Sequence, residues 1–173
     1  MSTIDDAIRA NGSYSREFKL GQLDMPPARK LAIVACMDAR LTIEPMLGLK
    51  TGDAHIIRNA GGIVTEDVIR SLIISQQLLD TREVMIINHT DCGMLTFSDD
   101  ALRSMLISST GNFAVVPARF YAFSDVEQNV REQVQKVRTH PWIPRQFTVR
   151  GFVYDVRSGR LKEVTDVEIR RAA

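Results

Sequence analysis

The chain has little cysteine, almost no net charge and no long apolar run, and each scarcity excludes something. Two cysteines among 173 residues make a disulfide scaffold a poor expectation and leave them as ligands or small core residues. Twenty-two basic against 21 acidic residues give a formal charge of +1, which argues against nucleic acid or an anionic membrane as the main partner. No uninterrupted apolar stretch is long enough to span a bilayer. Met1-Ser2-Thr3-Ile4-Asp5-Asp6 lacks the basic start and apolar segment of a secretory signal, so the expected location is cytoplasmic. There is no G-x-G-x-x-G or G-K-[ST] pattern to cradle phosphate, and no C-x-x-C to act as a redox dithiol. What remains, 45% hydrophobic and 25% charged, suits one soluble globular domain with a sizeable core.

Residues 1–30 are polar, carry Gly12 and Gly21, and end at Met25-Pro26-Pro27. They read as an N-terminal arm with a short helix near Thr3–Ala10, a segment suited to packing on a partner subunit. The main domain is expected over residues 31–173. Leu31-Ala32-Ile33-Val34-Ala35-Cys36 is apolar throughout, as befits a strand covered on both faces of a parallel sheet. Further strands are predicted at Ala54–Arg58, Glu83–Asn88, Gln146–Val156 and Leu161–Val164. Helices are predicted at Glu66–Leu79 behind a Thr65 cap, at Asp99–Ile107 behind Ser98, and from a Ser124-Asp125-Val126-Glu127 capping box to about His140. The last carries an apolar stripe of Val126, Val130, Val134 and Val137. Alternating strands and helices imply a single-domain α/β fold, with a central, mainly parallel β-sheet flanked by helices.

This layout puts Cys36 at the carboxyl end of the first strand and His89 just past the end of the third. Open α/β sheets bind ligands outside the carboxyl ends of their strands. A lone cysteine ending a buried strand is ordinarily a small hydrophobe. The combination with His89-x-x-Cys92 points elsewhere. Two thiolates and one imidazole form a three-ligand zinc set with one tetrahedral position left open. His55, inside a strand, and His140, at a helix end before Pro141, are read as structural, with a proton relay as the alternative for either. Asp38 and Arg40 stand beside the ligand cysteine. If Arg40 holds Asp38 away from the metal, the fourth position stays free for water. If Asp38 binds it instead, the site is closed. The Asn59-Ala60-Gly61-Gly62 stretch, taken alone, is an ordinary turn between strand and helix.

Taken together, Cys36-x-Asp38-x-Arg40, Arg58-Asn59-Ala60-Gly61-Gly62 and His89-x-x-Cys92-Gly93 resemble the β-class carbonic anhydrases, from about Leu31 to Val156. The resemblance implies one Zn2+ per subunit on Cys36, His89 and Cys92, and a catalytic dyad of Asp38 and Arg40. It also implies a homodimer or homotetramer. Ala39 stands where the family usually has Ser, and the segment between Cys92 and Ser124 is short. These features look like a compact subgroup, similar also to carbonyl sulfide and carbon disulfide hydrolases.

The reaction implied is reversible hydration of CO2 to bicarbonate by a hydroxide that zinc generates near neutral pH. The alternative on the same site is hydrolysis of COS or CS2, COS giving H2S and CO2. A non-catalytic zinc module is a third reading, and it requires a fourth protein ligand. CO2, COS and CS2 are linear and apolar, so a small apolar slot is expected beside the metal. Adjacency to the motifs nominates Met37, Ala39, Ala60, Gly61, Met94 and Leu95 for its walls.

Overall fold

A computed structural model describes residues 2–114 and 117–165. Its elements run α1 (Thr3–Glu17), β1 (Leu31–Cys36), α2 (Ile43–Leu47), β2 (Ala54–Asn59), α3 (Glu66–Leu78), β3 (Glu83–His89), α4 (Asp99–Thr110), α5 (Val126–Arg138), β4 (Thr148–Tyr154) and β5 (Leu161–Val164). Residues 166–173, the end of the expected main domain, lie outside the described residues. The strands form one sheet in the order β2-β1-β3-β4-β5. The first four are mutually parallel and β5 is antiparallel to β4. The α/β architecture with a mainly parallel sheet is therefore the one the sequence implies.

Alternation along β1 explains its unbroken apolar run. Ala32 and Val34 face one side, where they join Val68, Leu72, Val130, Val134 and Val137 of α3 and α5. Leu31, Ile33 and Ala35 face the other, with Leu41, Ile43, Leu49 and Phe152. A strand covered on both faces has no position for a polar residue.

The caps correct the predicted boundaries. Ser2 and Asp5 form a capping box that starts α1, which runs to Glu17 rather than stopping near Ala10. α5 is capped by Asp125, whose carboxylate accepts the Gln128 N–H, and not by Ser124. Glu127 does not reach back to a cap; it pairs with Arg131 and Lys162. α4 continues to Thr110, where left-handed Gly111 ends it. β4 is trimmed to Thr148–Tyr154. The short helix α2 has no counterpart among the predicted elements; Pro45 lies in its first turn, where no helical N–H partner is needed.

α5 lies close on the sheet. A Cβ added at Gly151 of β4 would stand 2.3 Å from Val130 Cγ1 and 2.8 Å from Val134 Cγ2. Both valines are buried and have little room to retreat. Gly151→Ala should therefore lower the unfolding free energy by about 1–3 kcal/mol, the usual overpacking range. Urea denaturation reads this directly, and an unchanged midpoint would mean that α5 is free to shift outward.

Candidate metal centre

The parallel register assembles the site. Ala35 of β1 pairs with Ile87 of β3, and Cys36 pairs with Asn59 of β2. The carboxyl ends of β2, β1 and β3 are thus adjacent, and each of the three motifs continues from one of them. The strand order turns back at β1, which places this edge at a topological switch point. There one donor atom each from Cys36, His89 and Cys92 lies within 4.8 Å of the other two, and all three residues are buried.

The imidazole is oriented for coordination. His89 Nδ1 lies 2.8 Å from the Thr90 carbonyl, which only accepts, so Nδ1 carries the proton. Nε2 is buried and without a hydrogen-bond partner, which leaves it as the ring's ligand atom. A buried polar atom without a partner is rare in a folded protein. This one faces two sulfurs, so the donor set fits a soft or borderline divalent ion.

The sulfurs are prepared to carry charge. The backbone N–H groups of Asp38 and Gly61 favour the Cys36 thiolate, and that of Met94 favours the Cys92 thiolate. Cys92 donates to Cys36, which pulls the Cys36 thiol far below its ordinary value and pushes Cys92 up. Burial works against protonation of His89, but the adjoining Cys36 sulfur, the Thr90 carbonyl and the Asp38 charge together outweigh it and raise the ring's value.

Asp38 and Arg40 are paired as a fork. Asp38 Oδ1 accepts Arg40 Nε at 3.0 Å and its backbone N–H at 2.9 Å, while Oδ2 accepts Nη2 at 2.8 Å. The guanidinium hydrogen bonds, then the backbone one, hold the Asp38 carboxyl well below the usual carboxylate range. Oδ2 is also 3.8 Å from His89 Nε2, so the carboxylate borders the ligand cluster. Arg40 is held in turn by Asp91, through Nη1 to Oδ2 at 2.8 Å and Nη2 to the carbonyl at 3.0 Å. Asp91 adopts φ 55°, a left-handed conformation that Asp tolerates better than most residues. Arg58 braces the same turn, donating to the carbonyls of Cys36 (3.0 Å) and Asp38 (2.6 Å). Asp91 and Arg58 have roles here that the motif spacing alone did not assign.

The nominated wall residues separate by exposure. Gly61 and Met94 are buried together: a Cβ on Gly61 would lie 3.0 Å from Met94 Cγ and 3.3 Å from Phe123 Cε1. Leu95 is half-buried in the apolar cluster around Cys36 and Cys92, with Phe97 and Phe123. Met37, Ala39 and Ala60 are exposed in this chain. Phe123 has no sequence signal, because it follows an irregular segment far from every motif. Its N–H donates to the Met94 carbonyl at 3.2 Å. His55 and His140 lie outside the ligand group: His55 Nδ1 meets Ser75 Oγ at 2.7 Å, and His140 Nδ1 accepts the Trp142 N–H at 3.3 Å.

The loop that carries Phe123 is tied to α4. The Asp99 carboxylate accepts backbone N–H groups of Phe120 (2.8 Å), Tyr121 (3.2 Å) and Ala122 (2.9 Å). These bonds, Ala122 first, hold its carboxyl below the usual range. A depressed folded value stabilises above the ordinary carboxylate pKa of about 3.9, and the contribution is lost as pH falls through the folded value. Asp99→Asn should therefore lower stability at neutral pH and differ less from the parent under acid conditions. Urea midpoints at pH 7 and pH 3 test this; an equal deficit at both would assign the loss to something other than the charge.

Cys36→Ser, His89→Ala and Cys92→Ser should each lose tightly held divalent metal. Elemental analysis of dialysed protein decides, and stoichiometric zinc retained in any variant would remove that residue from the ligand set.

Known proteins place this site in context. The family profile for carbonic anhydrase matches residues 31–161. β-Carbonic anhydrase 1 of Mycobacterium tuberculosis is 48% identical over 165 residues, covering 95% of this chain and 99% of that protein. A carbon disulfide hydrolase of Acidithiobacillus thiooxidans is 35% identical, covering 82% of this chain and 80% of its own length. The crystal structure of carbonic anhydrase from Streptococcus mutans superposes with a TM-score of 0.90 at 44% identity, covering 95% of this chain and 99% of that one. The profile match, the near full-length similarity and the shared fold establish that this chain belongs to the β-class carbonic anhydrase family.

Proposed function

We propose that this chain is a zinc enzyme that hydrates CO2 reversibly to bicarbonate, with Cys36, His89 and Cys92 as ligands and Asp38 and Arg40 as the catalytic dyad. One observation carries the reading. The buried, unpartnered His89 Nε2 faces two sulfurs, while Arg40 engages both oxygens of Asp38. Three candidate ligands converge, and the only obvious fourth among the described residues, Asp38, is already held by Arg40. A structural zinc module would need that fourth ligand.

Zinc bound there supplies Lewis-acid activation of water for attack on an electrophilic carbon. The chain's own residues do the rest. The N–H groups donating to Cys36 and Cys92 draw density from the sulfurs, which keeps a doubly thiolate-ligated ion acidic. Asp38 is held as an anion by Arg40, so it is a weak proton acceptor at neutral pH. Its role is to orient a water by accepting a hydrogen bond. Arg40, anchored on Asp91, fixes that carboxylate. The apolar flank of Gly61, Met94, Leu95 and Phe123 suits a small linear substrate without charge.

Higher identity to a carbonic anhydrase than to a carbon disulfide hydrolase supports CO2 over COS or CS2. A homodimer or homotetramer fits α1, which buries none of its residues against its own chain. Ile4, Ile8 and Tyr14 on that helix and Phe18 just after it are exposed, an apolar surface suited to a second copy. Among the described residues no helix is long and apolar enough to cross a membrane.

Stopped-flow hydration of CO2, measured beside COS and CS2 turnover on metal-quantified protein, tests the reading. Efficient CO2 hydration is expected, with Asp38→Ala and Arg40→Ala reduced roughly 100-fold, as loss of orientation predicts, while still retaining zinc. A kcat/KM for COS or CS2 several orders above that for CO2 would reassign the substrate. Near-normal turnover in both variants would remove the dyad.

A further inference from the structure

Three amide side chains connect α5 to the ligand loop through the core. Asn88 lies on β3 directly before His89; Asn129 and Gln133 lie one turn apart on α5; all three are buried. Asn88 Nδ2 donates to the Gly61 carbonyl at 2.7 Å and stands 3.4 Å from that of Gly62. Asn129 Nδ2 donates to Asn88 Oδ1 at 2.7 Å. Gln133 Nε2 donates to Asn129 Oδ1 at 2.8 Å. Gln133 Oε1 accepts the Val64 N–H at 2.9 Å and Lys136 Nζ at 3.0 Å.

The chemistry at the two ends fixes the direction of the whole chain. At one end stand carbonyls, which only accept. At the other stand a backbone N–H and an ammonium, which only donate. No amide between them can turn over without setting oxygen against oxygen or N–H against N–H. The orientation is therefore dictated rather than chosen.

We propose that Asn88, Asn129 and Gln133 are positioning residues for the metal centre: as a one-way chain of amides, they hold the Gly61–Gly62 carbonyls so that the glycine loop stays packed against Cys36. Gly61 is the link. Its carbonyl receives Asn88, its N–H favours the Cys36 thiolate, and Gly62 beside it is pressed against the Cys36 backbone nitrogen. Releasing the carbonyl frees two left-handed glycines, φ 80° and 62°, to move the N–H away. The thiolate then becomes a stronger donor and a less well-placed ligand. Partners that orient a metal ligand are typically worth about 10–100-fold in affinity.

The inference rests on the metal reading above, and its test uses metal rather than turnover. Gln133→Glu keeps the volume and lies beside Lys136, which balances the new charge. It still accepts from Val64 and Lys136, but it presents an oxygen to Asn129. The chain must then meet oxygen to oxygen at some link, or reverse and set Asn88 Oδ1 against the Gly61 carbonyl. Asn129→Leu cuts the chain outright. Val130→Ala, on the same helix, opens a cavity without touching an amide.

Zinc affinity is read by competition with a chelator, and the sulfur-to-cobalt charge-transfer band is read on cobalt(II)-substituted protein. Gln133→Glu and Asn129→Leu should weaken zinc by about 10-fold or more and move the band to longer wavelength. Val130→Ala should lower the urea midpoint and leave both readings unchanged. Parent-like affinity and band in a folded Gln133→Glu would overturn the proposal, as would equal shifts in Val130→Ala. If Asn129→Leu does not fold, Gln133→Glu decides, with Asn129→Asp as its isosteric partner. Failure of the parent chain to bind metal would defeat the metal reading itself, which is a separate outcome.

Discussion

Two cysteine sulfurs brought together in an apolar cluster form an arrangement that opposes its own assembly. Thiolates in a low-dielectric surrounding repel each other and lose hydration. Each relief visible in this structure comes from how the sheet edge is built. Backbone N–H groups from Asp38, Gly61 and Met94 reach the sulfurs. His89 presents Nε2 to the sulfurs because its other nitrogen is committed to the Thr90 carbonyl. The remaining negative charge, on Asp38, is neutralised by Arg40 before it can add to that of the thiolates. A divalent cation completes this balance, which is why the residues fit one.

The Asp38–Arg40–Asp91 array is more convincing as positioning than as stabilisation. Arg40 and Asp91 are substantially exposed, and exposed ion pairs contribute about 0–1 kcal/mol. What the array does supply is geometry. A fork of two guanidinium bonds, a backbone N–H and a second carboxylate leaves Asp38 few ways to turn toward the metal. Asp91 therefore fixes Asp38 at one remove, by holding Arg40.

The strands and the convergence of Cys36, His89 and Cys92 were legible because their signals are local and redundant. β1 could be read from an apolar run that only a doubly covered strand tolerates, and the convergence from residue types at strand ends. Other features depend on what the chain meets in space. Ser124 and Asp125 are both good caps in sequence, and the choice falls to Asp125, with Glu127 drawn to Lys162 on a distant strand. Phe123 reaches Gly61 only because Asp99 pins the preceding three amides. Asn129 and Gln133 flank the valine stripe of α5 and look like solvent-facing residues by period alone. Burial of both became visible only once Asn88 supplied a partner from another element.

The tandem glycine illustrates the same point from the backbone. Read alone, Gly61-Gly62 is a turn like many others. In place, a Cβ on Gly62 would lie 2.8 Å from Asn88 Nδ2, 3.0 Å from the Cys36 nitrogen and 3.1 Å from the Ala35 carbonyl carbon. The loop leaving β2 is thus pressed against the end of β1 and the amide of β3 at once. Only a residue without a side chain can approach that closely at φ 62°. That contact lets the Gly61 N–H reach the Cys36 sulfur and lets the Gly61 carbonyl receive Asn88. The glycines therefore join the three strand ends, and the spacing of Cys36, His89 and Cys92 follows from that backbone contact as much as from those side chains themselves.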